Sequence, residues 1–176
     1  MGLVRPMEKE LQDIAATISQ RVGAEMQTFR DQMILIVPPE RIVETARALK
    51  EEFGFNMLSD ETAVDYWPEE EPRFHVVYQL RDVDRNRIIT LRVPLNGHSP
   101  RIETLEKVYP NANWHEREIW DLFGIYFEGH SDMRRIMMPY DWEGHPLRKD
   151  YPLGYEDVRF TFNTKDLSIR KPHPKE

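Results

Sequence analysis

The chain has 176 residues, 40% hydrophobic and 31% charged, which fits one soluble and rather polar globular domain and leaves little room for a multidomain enzyme. Cysteine is absent, so disulfides, thiolate nucleophiles, zinc-thiolate sites and iron-sulfur ligation are excluded together, and any redox role must borrow its centre. A net charge of -7, from 24 basic and 31 acidic residues, opposes nucleic acid as the main partner.

The opening Met1 to Pro6 carries no apolar h-region, and the nearest apolar run, Met33 to Val37, is far short of the roughly 20 residues a spanning helix needs. Neither export nor membrane crossing is expected. Gly2 follows Met1 as in myristoylation signals, but Pro6 stands where Ser or Thr is required.

Leu11, Ile14, Ala15, Ile18 and Val22 recur at three- and four-residue spacing, which predicts an amphipathic helix over 7–22 stopped by Gly23. Met33 to Val37 reads as a buried strand ended by Pro38-Pro39. Pro39 can open a second helix with Ile42, Val43, Ala46, Leu49 and Phe53 on one face and Gly54 as its stop. Phe55 to Leu58 is extended. Ser59-Asp60-Glu61 and the Pro68 to Pro72 run then bracket an acidic, solvated loop. Phe74 to Leu80 and Ile88 to Val93, joined by the polar 81–87 connection, predict an antiparallel hairpin. Ser99-Pro100 supplies an N-cap and an N1 proline for a short helix with Ile102, Leu105 and Val108, and a further helix runs from about Asn113 to Phe123, ending at Gly124. From Ile125 to about 158 periodicity disappears while Gly, Pro and charge accumulate, the pattern of an irregular arm lying over the domain or over a partner. The polar tail 165–176 is expected to fray.

The richest segment is Trp114 to Gly124. Glu116, Trp120 and Phe123 share one side of the helix, and Arg117 lies four residues from Asp121. Glu116 is therefore either a rim group or a buried acid in need of a cation, for which Arg134 and Arg135 are the candidates. From 128 to 151 five acids (128, 132, 141, 143, 150) face four bases (134, 135, 148, 149), a charge-balanced stretch suited to fixed ion pairs. Its interleaved Trp, Tyr and Met suggest anchors of a protein-protein contact.

His98, His115, His130 and His145 raise the alternative of a small metal-dependent enzyme, but no HExxH motif and no paired His at helical spacing occur. No G-x-S-x-G elbow, G-x-G-x-x-G or phosphate-binding glycine loop is present either. If nicotinamide chemistry is nearby, another chain performs it.

Glu116-Arg117-Glu118, Trp120-Asp121-Leu122-Phe123-Gly124-Ile125, Phe127-Glu128-Gly129-His130, Arg134-Arg135-Ile136 and the run from Asp141-Trp142-Glu143-Gly144-His145 through Arg148-Lys149-Asp150 to Pro152 resemble the 30 kDa subunit family of respiratory complex I, the proton-translocating NADH:quinone oxidoreductase. Ser131 stands where the family often has proline. The resemblance implies a cofactor-free subunit of the peripheral arm on the cytoplasmic side of the bacterial membrane. It would brace the neighbouring subunit that helps form the quinone site, while FMN, iron-sulfur clusters and quinone belong to partner subunits. It implies no catalytic residue. Glu116, Arg117, Glu118, Trp120, Asp121, His130, Arg134, Arg135, Asp141, Trp142, His145, Arg148, Lys149 and Asp150 are assigned to internal ion pairs and the interface with other subunits. Related membrane-bound hydrogenases and ferredoxin- or F420-linked dehydrogenases use similar scaffolds.

The expected fold is α+β: a mixed or antiparallel sheet of about four strands with helices mostly on one face, within a compact domain over 1–124, then an extended irregular arm and tail over 125–176.

Overall fold

The computed structural model describes residues 6–30 and 32–152, so the end of the expected arm and the tail 165–176 lie outside the described residues. Helix α1 (Pro6–Val22) buries Ile14, Ala15, Ile18 and Val22 and is terminated by Gly23 in the left-handed region. Strands β1 (Glu25–Phe29) and β2 (Gln32–Ile36) form a hairpin. A short 3₁₀ turn at Pro39–Arg41 leads into α2 (Ile42–Phe53), capped by Gly54 at φ +81°. Strands β3 (Met57–Asp65), β4 (Phe74–Asp82) and β5 (Arg87–Leu95) follow. Then come β6 (Arg101–Glu103), α3 (Ala112–Phe123) and β7 (Tyr126–Glu128).

The main sheet is five-stranded and mixed, in the order β1-β2-β5-β4-β3, with β2 and β5 parallel and every other pair antiparallel. The α+β class is as expected. Strand periodicity places Phe74, Val76, Tyr78 and Leu80 of β4 and Ile89, Leu91 and Val93 of β5 on one fully buried face, with half-buried or exposed residues alternating between them. One row across that face runs Leu35, Leu91, Tyr78, Glu61, so strand register carries a carboxylate to the end of an apolar line. The 81–87 connection closes the β4–β5 hairpin. There Arg87, itself buried, donates to Asp82 through Nε at 3.0 Å and Nη2 at 2.6 Å, reaches Glu10 of α1 at 2.7 Å and the Phe53 carbonyl at 3.0 Å.

Three local expectations are corrected. Ser59-Asp60-Glu61 is not a solvated loop but the middle of β3, because pairing with β4 outweighs local polarity: Glu61 sits opposite Tyr78 and is buried. No helix starts at Ser99-Pro100. Ser99 lies at φ +50°, and residues 101–103 pair in parallel with β7, some 25 positions away. Ile102, Leu105 and Val108 are buried as expected, but from a strand and a turn. Strand β1 has no expected counterpart, since all five of its side chains are exposed and carry no apolar alternation. Within the stretch expected as an arm, Ile125 and Phe127 are fully buried in the core.

Candidate functional site

Helix α3 organises the charged motif by sending alternate faces into the domain and under the following chain. Asp121, near its C-terminal end, is fully buried and gathers the arm. One carboxylate oxygen accepts the main-chain N–H groups of Ile136 (3.0 Å), Met137 (2.8 Å) and Met138 (2.9 Å), and the other pairs with the Arg135 guanidinium. Burial would raise its pKa, but the Met138 N–H, the Arg135 guanidinium and the other two N–H groups outweigh burial and hold it below the ordinary carboxylate range. Arg135 also reaches the Gly144 carbonyl at 3.2 Å, tying two turns of irregular chain to one helix residue.

The free carbonyls at the end of α3 need donors, and the arm supplies them. Arg148 donates to Phe123 O at 2.5 Å and Gly124 O at 3.4 Å, the Leu147 N–H donates to Leu122 O at 3.0 Å, and His145 Nδ1 lies 3.0 Å from Asp121 O. Burial and the nearby Arg148 and Arg135 push the His145 pKa down, so the ring is neutral at pH 7. Gly124 is fixed by two demands at once. It lies at φ +73°, and a Cβ there would stand 2.5 Å from His145 and 2.7 Å from Arg148. Gly124→Ala is expected to lower stability by about 1–3 kcal/mol, through left-handed strain plus displaced caps. Thermal unfolding of the purified variant measures it, and an unchanged midpoint would show that the arm yields freely there.

A second tether lies at the far end of the arm. Arg73 is buried, stacks on Trp67 and Phe74 with its guanidinium carbon 4.8 Å from each ring centroid, and donates to both oxygens of buried Asp65 at 3.0 Å. Its remaining donors hold Asp150 at 2.5 and 3.0 Å, while the Lys149 N–H reaches Asp65 at 2.8 Å. The Asp65 and Asp150 hydrogen bonds raise the Arg73 pKa, so this cation is permanent. Arg73 and Asp65 were outside the expected set. The usable signal was the i, i+2 alternation of Glu61, Ala63 and Asp65, which the acidic composition hid.

Glu116 is buried, but neither Arg134 nor Arg135 is its partner, which corrects both expectations for it. Thr104 Oγ1 donates to one oxygen at 2.5 Å and the Leu105 N–H to the other at 2.6 Å, clamping α3 to the chain after β6. His130 Nε2 stands 3.9 Å away and donates instead to Asn113 O at 3.1 Å, since Nδ1 accepts the Asp132 N–H. Burial raises the Glu116 pKa to about 7, against the lowering effect of its two donors. Glu61 and Tyr78 complete the group: both Glu61 oxygens and the Tyr78 hydroxyl are buried without a hydrogen-bond partner among the described residues. Burial first, then repulsion by Glu116 and Asp60, pushes the Glu61 pKa well up.

The remaining candidates divide by exposure. Arg134 pairs with Asp132 at the surface. Glu118 and Asp141 are exposed and make no ion pair among the described residues, Lys149 is exposed beyond its main-chain bond, and Trp142 and Trp120 are half-buried. Ser131 places its N–H and hydroxyl on Glu106, at 2.9 and 2.6 Å, contacts that proline does not have. No group of three or more metal-ligating side chains occurs among the described residues, and no described helix is long and apolar enough to cross a membrane.

Residues 35–157 match the family model described as respiratory-chain NADH dehydrogenase, 30 Kd subunit. A subunit of NADH-quinone oxidoreductase from Roseiflexus sp. is 45% identical over 170 residues, covering 92% of this chain and 97% of that protein. The same subunit from Roseiflexus castenholzii is 47% identical over 150 residues, covering 84% and 86%. Among solved structures, a trypsin-resistant fragment of Nqo5 superposes with a TM-score of 0.60 at 32% identity, covering 72% of this chain and 98% of the fragment. A chain of an archaeal membrane-bound sulfane sulfur reductase superposes with a TM-score of 0.69 at 27% identity, covering 91% and 92%. The chain belongs to the family of the 30 kDa subunit of respiratory-chain NADH dehydrogenase, a component of the NADH-quinone oxidoreductase complex whose partners are the complex's other subunits.

Proposed function

We propose that this chain is a cofactor-free, non-catalytic brace in the peripheral arm of the complex, on the cytoplasmic side of the bacterial membrane, packed against the neighbouring subunit that helps form the quinone site. Electrons would pass from NADH through FMN and iron-sulfur clusters held by other subunits. The supporting observation is the way charge is used. Asp121, Arg135, Arg148, Arg73 and Asp150 bind the arm to the domain, and this leaves Ile136, Met137, Tyr140 and Leu147 turned outward as an apolar surface. Fixed ion pairs beneath an exposed apolar patch make a preorganised docking surface. The working division remains a compact unit over 1–124 and a partner-binding arm beyond it.

Affinity purification of the tagged full chain from its native membranes, with mass spectrometry of the co-purifying subunits and an NADH:quinone assay, tests this reading. Cluster-bearing and quinone-site subunits with NADH-driven activity are the expected result. Arg148→Ala and Glu118→Ala should reduce the amount of assembled complex several-fold while leaving turnover per assembled complex near the wild-type value. A fully assembled but inactive complex would overturn the non-catalytic role. The fold shared with the sulfane sulfur reductase chain supports a second reading, in which the same scaffold serves a related membrane-bound hydrogenase or ferredoxin- or F420-linked dehydrogenase. Hydrogenase-type or F420-linked partners in the purification would select it.

A further inference from the structure

Between α3 and the chain that follows it lies an open recess of about 500 Å³, lined by Arg117, Arg134 and Arg135 together with Trp120, Met138 and Tyr140. Two of the three guanidiniums are already neutralised, Arg135 by Asp121 and Arg134 by Asp132. Arg117 is different. Its Nε and Nη2 donate only to the main-chain carbonyls of Arg134 and Arg135, at 3.1 and 3.4 Å, and no carboxylate lies within ion-pair distance of it among the described residues. The group is held in place by those carbonyls and by stacking over Trp114 at 5.3 Å, so its charge is oriented before any partner arrives. Around it the walls are thioether and aromatic, and the rim carries Tyr140, 93% exposed, and Met137, 61% exposed.

We propose that this recess receives an acidic side chain, flanked by apolar residues, on a neighbouring member of the complex. The inference rests on the bracing role argued above and names the chemistry of the contact. A carboxylate supplies the charge that Arg117 lacks, in a setting partly screened from water by Trp120 and Met138, where a hydrogen-bonded pair outweighs a surface one. The exposed Tyr140 and Met137 fit the apolar flanks, the kind of anchors that dominate protein interfaces. An anionic lipid surface or a phosphate polymer fits poorly, because the chain carries a net charge of -7 and this recess offers one unpaired cation.

The test is site-specific photocrosslinking in native membranes, with benzoylphenylalanine at Tyr140 of the tagged full chain and at Phe29 on the exposed β1 hairpin as control. The Tyr140 probe should label an Asp- or Glu-containing segment of another protein of the complex. Arg117→Gln should lower that yield at least tenfold and Arg117→Lys less, while reversal of the labelled partner acid to Arg should rescue Arg117→Glu. Mapping in the wild-type Arg117 background does not depend on any variant folding. A co-purifying complex in which Tyr140 labels only this chain, or labels a segment without an acid, overturns the acid-receiving recess alone. The absence of any co-purifying partner overturns the bracing role and the recess together.

Discussion

Asp121→Ala is expected to cost about 3–5 kcal/mol and to release the arm while the sheet stays folded. The single side chain satisfies three main-chain N–H groups and one largely buried guanidinium, and alanine leaves all four without their acceptor. Water can enter to solvate some of them, which keeps the cost below the sum of four separate losses. Asp121→Asn, nearly isosteric, should be intermediate, because it keeps one acceptor oxygen but gives up the charge that Arg135 needs. Thermal unfolding gives the total. Limited proteolysis gives the location: cleavage between Met133 and Lys149 should accelerate at least tenfold, with the segment from β2 to β5 still protected. Equal acceleration throughout would mean that Asp121 supports the whole fold rather than the arm.

The Glu61, Glu116 and Tyr78 group makes stability fall as pH rises. In the unfolded chain both carboxyl groups titrate near 4.5, whereas burial moves Glu116 to about 7 and Glu61 well up in the folded state. The folded protein therefore keeps protons that the unfolded chain has released, and stability declines from about pH 4.5 through pH 7. Each unit of displacement is worth about 1.4 kcal/mol, so a loss of a few kcal/mol is expected between pH 5 and pH 8. The group faces no compensating cation. His130 is the nearest base, 3.9 Å from Glu116, and it is occupied by Asn113 and Asp132.

Opposite behaviour governs the acid side. Asp65, Asp82 and Asp121 are held below the ordinary range, where burial is outweighed by the hydrogen bonds from Arg73, Arg87 and the Met138 N–H respectively. Their contribution is present above about pH 4 and is lost as pH falls through their folded values. Stability should thus peak near pH 5. Glu61→Gln should flatten the alkaline limb and raise the unfolding midpoint at pH 8, whereas Asp65→Asn should leave that limb unchanged. A flat profile from pH 5 to pH 8 in the wild type would show that the two glutamates are solvated.

Helix placement was legible from spacing alone. The α2 stripe and its Gly54 stop, and the α3 boundary at Gly124, follow from 3.6-residue periodicity and from glycine's freedom at positive φ, both local properties. The β4–β5 hairpin was legible for the same reason, since its connection is short and polar. The Ser99-Pro100 segment misled because N-cap chemistry competes with a strand pairing to β7 that no local window contains. Glu61 misled because an acid in an acidic run reads as solvated until its neighbour across the sheet is known.

For the charged motif, the sequence by itself determined the composition: which residues carry charge, that acids and bases nearly balance, that no thiolate or phosphate cradle exists, and which family the order resembles. Only the tertiary structure decided the pairing. It gave Asp121 to Arg135 and to the Ile136 to Met138 backbone, Asp150 to Arg73 from 77 positions away, and Glu116 to a hydroxyl and an N–H with no cation at all. The reason is one of range. Periodicity and capping act within a few residues, whereas ion pairs and desolvation depend on distance and dielectric, which are set by the packing of strands and loops far apart along the chain.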